Sequence, residues 1–249
     1  MTEASDANWI RRFHPAEAGS VRLVCLPHAG GSASFYFPMS QALAPAVDVM
    51  AVQYPGRQDR RHEPCIEDIG QLADAIATVL EPWLDRPMAL FGHSMGATLA
   101  FEVTRILESK YDFTPQHLFV SGRRAPSLQR DERVHLAGDD GIVREMLALQ
   151  GTDAALLADD ELLRMALPAL RADYKAIETY RAEPGASVRA PMTVLTGDAD
   201  PRVAVPEADA WSAHTSGGFD RKVFSGGHFY LAAHRKEIVS VISDRLFSA

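Results

Sequence analysis

Cysteine is nearly absent: Cys25 and Cys65 are the only two among 249 residues, far apart and without metal-ligand spacing. That pattern excludes a disulfide framework and a thiolate metal cluster. Cys25 sits inside an apolar run and reads as a core residue. No uninterrupted apolar stretch of about eighteen residues occurs, so a membrane-spanning helix is not expected. The start, MTEASDANWIRRF, lacks a basic segment followed by an apolar one, which argues against a secretion signal and for a cytoplasmic location. Positive charge is not in excess either; the net charge of −8 weighs against nonspecific nucleic-acid binding. Internal repeats and low-complexity linkers are also missing.

What remains is a chain that is 47% hydrophobic and 23% charged, suited to one compact domain or one domain with an insertion. Short strand-like runs recur at Val21 to Leu26, Val47 to Tyr54, Pro87 to Phe91, His117 to Gly122, Met192 to Gly197 and Arg221 to Gly226. Helical spacing fills intervals between them, at Asp68 to Leu84, after Ser94, near Pro206 to His214, and from Tyr230 to Leu246. This alternation predicts an α/β fold, a mostly parallel sheet covered by helices on both faces. One interval breaks the rhythm. From Asp131 to Arg181 no strand-like run appears, while Leu136, Ile142, Met146, Leu156, Leu157, Leu163 and Leu167 recur among acidic residues. It reads as a helical insertion over the carboxyl edge of the sheet, where ligands bind in such folds. As a lid it would line an acyl channel, with Met146 and Leu163 as channel-facing candidates.

The stretch ALFGHSMGATLAFE places Ser94 between Gly92 and Gly96 where a strand-like run meets a helical one. A bare G-x-S-x-G arises by chance in about one chain of this length in ten, so the context carries the argument. A strand-to-helix turn is where a nucleophile elbow must lie, because the sharp turn exposes the serine hydroxyl above the sheet. A serine hydroxyl is a weak nucleophile near neutral pH and requires a base, which in turn requires an orienting acid. TVLTGDADP puts acids directly after one strand-like run, and FSGGHFYL puts His228 in a glycine turn after the next. The order serine, acid, histidine matches an α/β-hydrolase. Asp200 is preferred over Asp198, since the residue two positions further on reaches toward the histidine while Asp198 can hold the turn through backbone amides. His93, inside the elbow, points elsewhere. For the oxyanion hole, backbone amides of Met95 and Ala29 are the candidates, the latter in the small-residue loop PHAGGS. That loop lacks the lysine of a phosphate-binding P-loop.

The segments LPHAGGSASFYFPMSQAL, VQYPGRQDRRHEP, LFGHSMGATLAFE, LTGDADP and GGHFYL, in this order, cover most of the chain. Together they resemble the type II thioesterases of polyketide and nonribosomal peptide synthase systems, and WIRRF near the start resembles that family's beginning. The resemblance implies an α/β-hydrolase fold with a helical lid and a Ser94, Asp200, His228 triad. It implies hydrolysis of acyl thioesters on the phosphopantetheine arm of acyl or peptidyl carrier proteins, an editing task that needs no metal and no organic cofactor. Neither a nucleic acid nor a membrane is an expected partner. A medium-chain fatty acyl thioesterase or a carboxylesterase on the same fold is the alternative enzyme. A noncatalytic carrier-protein-binding module is the alternative of another class. Because carrier proteins are acidic and this chain is too, docking requires a local basic patch. The candidates are Arg57, Arg60 and Arg61 after the second strand-like run, and Arg123 and Arg124 before the insertion.

Overall fold

The computed structural model describes residues 8–149 and 160–247. Seven strands form one sheet: β1 (Ile10–Arg11), β2 (Val21–Leu26), β3 (Val47–Val52), β4 (Met88–His93), β5 (His117–Ser121), β6 (Met192–Gly197) and β7 (Phe219–Phe224). Their order across the sheet is β1-β3-β2-β4-β5-β6-β7, and every neighbouring pair is parallel except β1 with β3. Strands β3 to β6 are buried at every position, which is why they read as continuous apolar runs rather than alternating ones.

Alternation is nevertheless present in what each side chain touches. Val24, Leu26, Met50, Val52 and Leu90 face one cluster, together with Leu72 and Ile76 of helix α2 (Ile69–Leu80) and Leu99 and Val103 of α3 (Met95–Lys110). Leu23, Cys25, Val49, Ala51, Ala89 and Phe91 face the other, against Met39 and Leu43 of α1 (Phe37–Leu43) and Ile238 and Ile242 of a C-terminal helix, Arg235–Phe247. The period of two along a strand thus sorts residues between two helical layers.

Several boundaries differ from the sequence expectation. Helix α2 begins where the Asp68 side chain accepts the Gln71 amide at 2.9 Å. It gives way at Glu81 to a single 3-10 turn, not at Leu84, because Pro82 has no N–H to continue the ladder. The last strand lies two residues earlier than expected, at Phe219–Phe224, with a half-exposed pattern. An edge strand needs no continuous apolar run, so its centre is poorly marked. Strand β1, two residues long and paired antiparallel through Ile10 with Val52, is too short to show a period.

Within the insertion, two helices are described: α4 (Asp139–Leu149) and α5 (Asp160–Thr179). Leu156 and Leu157 lie outside the described residues. Ile142, Met146, Leu167 and Leu170 form a small core between α4 and α5, with Leu163 packed on it. Met146 and Leu163 therefore stabilise the insertion against itself rather than lining a channel, which corrects their expected placement. An amphipathic pattern shows that a face is buried, not what it is buried against. The elements after the insertion are β6, a short helix α6 (Val205–Asp209), β7 and the C-terminal helix, here α7 (Arg235–Phe247).

Candidate active site

The strand order reverses direction at β2, which has β3 on one side and β4 on the other. A reversal opens a crevice at the carboxyl ends of the two strands, since the connections leave in opposite directions. The loop after β2, His28 to Gly31, and the turn after β4, at Ser94, flank that crevice. Ser94 has φ of +56°, a conformation strained for a residue with a side chain, and it stands between the last residue of β4 and the first of α3. Its amide donates to the Ser121 carbonyl at 2.8 Å, and its carbonyl accepts from Ala97 at 3.0 Å. The turn is possible only because its flanking residues are glycine. A Cβ on Gly92 would collide with the Gly96 carbonyl, and one on Gly96 with the carbonyl of Leu26. Strand and helix backbones meet there without room for a side chain.

Three side chains converge from three strand ends. The Ser94 hydroxyl donates to His228 Nε2 at 3.0 Å. The opposite nitrogen, His228 Nδ1, donates to Asp200 Oδ2 at 2.8 Å. A carboxylate only accepts, so the proton must sit on Nδ1 and leave Nε2 free to take the serine proton. Both partners are closed to solvent, at 3% and 0% side-chain exposure for His228 and Asp200. The second Asp200 oxygen accepts the Arg202 amide at 2.8 Å, which fixes the rotamer of the carboxylate. Asp198 lies elsewhere: its Oδ1 accepts the Gly226 amide at 2.9 Å and clamps the glycine turn that presents His228.

His93 is directed away from Ser94, as its place in the elbow requires. Its Nδ1 lies 2.9 Å from the Ser121 hydroxyl, which in turn lies 2.6 Å from the Tyr230 hydroxyl. Burial, reinforced by the neighbouring His228 and His28 rings, holds its pKa well below the ordinary histidine value. Burial acts likewise on His28, whose pKa falls to about 3. Both rings are therefore neutral at pH 7, and neither adds a positive charge that would oppose protonation of His228. Sequence reasoning turned His93 away from the serine but did not single out His28, and nothing local marks a histidine as neutral.

Ala29 and Met95, the expected oxyanion donors, line the same pocket as Ser94 and His228. The Met95 amide is the first of α3, one of the N–H groups that a helix leaves without an internal acceptor. The remaining wall comes from Phe229 and from Leu149, Tyr174 and Ile177 of the insertion, with charged groups from Arg123, Glu132, Glu145, Glu178 and Arg202.

The five arginines expected at a docking surface divide. Arg57 is buried and forms a two-pronged ion pair with Asp173 of α5, at 2.6 and 2.9 Å. It also donates to the Gly31 carbonyl at 3.2 Å, and Asp173 accepts the Gly30 amide at 2.7 Å. Arg60 is buried over the Trp9 ring, donating to the Gln53 carbonyl at 2.7 Å and pairing with Glu63. Arg124 is buried against Glu132 at 2.6 Å. These three cannot meet a carrier protein, a correction whose reason is that each guanidinium has found a carboxylate or carbonyl inside the fold. Arg123 faces the Ser94 pocket, and burial, followed by the adjacent Arg124, lowers its pKa to about 10. Arg61 is the one of the five on the exposed surface.

The Asp173 to Arg57 pair joins the insertion to the loop that carries Ala29. Removing one partner leaves the other charge buried and uncompensated, so Asp173→Ala should cost about 3 to 5 kcal/mol of stability. The double variant Asp173→Leu with Arg57→Met should recover most of that loss in chemical denaturation. If the single variant is as stable as the parent chain, the pair does not anchor the loop.

The chain matches the Thioesterase domain family model over residues 21–246. A probable cadicidin biosynthesis thioesterase of Streptomyces griseus is 55% identical over 99% of this chain and 68% of its own length. Thioesterase PikA5 of Streptomyces venezuelae is 53% identical over 96% of this chain and 85% of its own. Among solved structures, the type II thioesterase BorB from the borrelidin biosynthetic cluster superposes with a TM-score of 0.90 at 54% identity, covering 96% of this chain and 97% of that one. With an α/β-hydrolase sheet, a serine in a strained strand-to-helix turn and these relatives, the chain belongs to the thioesterase family, as a serine hydrolase of the type II class associated with polyketide and nonribosomal peptide biosynthesis.

Proposed function

We propose that the chain hydrolyses acyl thioesters held on the phosphopantetheine arm of acyl or peptidyl carrier proteins, clearing acyl groups that block a synthase. The observation that carries the reading is the Ser94, His228, Asp200 line, with 3.0 and 2.8 Å between successive members. Ser94 Oγ attacks the thioester carbonyl as its proton passes to His228 Nε2, and the carbonyl oxygen, now anionic, is held by the Ala29 and Met95 amides. The imidazolium, steadied by Asp200, then protonates the departing pantetheine sulfur and leaves an acyl-serine. Water enters, gives its proton to His228, and attacks the acyl carbonyl; the acid is released and the Ser94 hydroxyl is restored. Every proton in the cycle passes through one nitrogen, so the chain's own residues suffice for the chemistry.

The test is direct. Carrier proteins loaded with different acyl groups are incubated with the protein and the released acids identified by mass spectrometry, alongside small oxygen esters. Release from carriers at rates far above ester hydrolysis supports this reading. Preference for free esters would favour the carboxylesterase alternative, and no turnover on either would favour a binding module.

We further propose that α4 and α5 act as the lid over the acyl site. Leu149, Tyr174 and Ile177, not Met146 or Leu163, supply its inner wall. Ile177→Trp adds bulk to that wall, and the preferred acyl chain should shorten by about two carbons or more, since overpacking is resisted by neighbours already in contact. Competition assays with a series of straight-chain acyl thioesters measure it. An unchanged chain-length profile would make the two helices a structural layer only.

A further inference from the structure

The pocket around Ser94 is lined by five charged side chains: Arg123, Glu132, Glu145, Glu178 and Arg202. Four of them are already matched. Glu132 accepts from Arg124 at 2.6 Å and from Arg202 at 2.9 Å. Glu145 pairs with Arg202. Glu178 takes the amides of Val134 and His135 at 2.9 and 3.0 Å and lies 2.5 Å from the His135 ring. Arg123 differs: among the described residues, no hydrogen bond or ion pair reaches its guanidinium. Its backbone is nonetheless pinned, because Trp211 Nε1–H donates to the Arg123 carbonyl at 2.8 Å and the preceding Gly122 amide donates to Leu195 at 2.9 Å. Among the described residues, then, a half-buried cation without a partner shares the pocket of the nucleophile.

Given the hydrolase reading above, on which this rests, we propose that Arg123 makes the site selective for acyl groups carrying an acceptor oxygen a few bonds beyond the thioester carbonyl. A hydroxyl, a keto oxygen and a carboxylate share that chemistry, with the carboxylate gaining most from the charge. A plain alkyl chain entering the pocket displaces water from the guanidinium and returns nothing, whereas an acceptor oxygen replaces the lost hydrogen bond. Of the neighbouring carboxylates, Glu132 and Glu145 are each paired with an arginine other than Arg123, and Glu178 is turned toward two amides and the His135 ring. The phosphate of the pantetheine arm is the other anionic source. It sits at the far end of a long linear arm from the sulfur, whereas Arg123 shares a pocket with Ser94, so the acyl side is the one within reach.

The experiment uses N-acetylcysteamine thioesters, which carry no phosphate, with butyryl, β-hydroxybutyryl, β-oxobutyryl and succinyl groups. For the parent chain, kcat/KM should be higher on the oxygenated members than on butyryl. In Arg123→Met, checked by thermal melting for an intact fold, the ratio of oxygenated to butyryl kcat/KM should fall about ten- to a hundredfold. Arg123→Lys, which keeps the charge but not the fork of donors, should recover part of the ratio. A ratio unchanged in folded Arg123→Met overturns the proposal. So does a defect confined to phosphopantetheine-borne substrates, which would assign the arginine to the phosphate. If the parent chain hydrolyses none of the four, the hydrolase reading itself fails and this inference falls with it; butyryl turnover with a flat ratio sinks the inference alone.

Discussion

Ser94→Ala should lower kcat/KM on an acyl carrier substrate by roughly three orders of magnitude or more, the loss characteristic of removing a member of a triad. Removing Oγ deletes the atom that forms the acyl-enzyme, and His228 Nε2, 3.0 Å away in the parent chain, is left without its proton donor. The fold should be unaffected. The strain at Ser94 belongs to the backbone, and alanine presents the same Cβ there, so thermal melting should shift little. Binding of an acyl carrier protein should survive as well, which makes this variant suitable for trapping the loaded complex. Residual hydrolysis would come from the oxyanion amides and from proximity alone. Turnover comparable to the parent chain, with the same substrate and an intact fold, would exclude the serine mechanism.

Asp200→Asn should cause a loss of comparable size, about four orders of magnitude in kcat by the behaviour of this constellation elsewhere. The carboxamide is nearly the same shape, yet its NH2 can face His228 and so favour the proton on Nε2. The imidazole then cannot accept from Ser94. Asp198→Asn supplies the control. Its oxygen accepts the Gly226 amide at 2.9 Å, and an asparagine oxygen can do the same, so activity should fall by about tenfold or less. Steady-state kinetics on the pair of variants settles the roles: if Asp198→Asn is the crippled one while Asp200→Asn is not, the orienting acid has been misassigned.

Most of the interior strands were legible because a strand buried on both faces is written as a short run rich in apolar and β-branched residues; MTVLTG is one and forms β6 without adjustment. Ser94, Asp200 and His228 were legible for a related reason. Each follows such a run, and the carboxyl ends of parallel strands share one edge of the sheet. The arginines were not. Arg57 lies in a polar stretch and reads as surface, while the carboxylate that buries it, Asp173, is 116 positions away on the insertion. No local pattern announces a partner at that separation. Met146 and Leu163 failed differently: their helical spacing signals an inner face, but whether that face meets an acyl chain or another helix depends on the packing of α4 on α5.

Asp173 also constrains how the site could be redesigned. It stands one residue before Tyr174 and one turn before Ile177, which are part of the pocket wall, while its own carboxylate grips Arg57 and the Gly30 amide. On the function proposed above, a single turn of α5 thus carries both part of the acyl-pocket wall and the fastening of the loop that holds Ala29. Enlarging the wall by shifting that turn would drag the loop with it, so on that reading breadth of substrate and speed of turnover would be mechanically geared together. Variants combined across that turn should depart from additive behaviour, and screening for new acyl specificity there would have to select for rate at the same time.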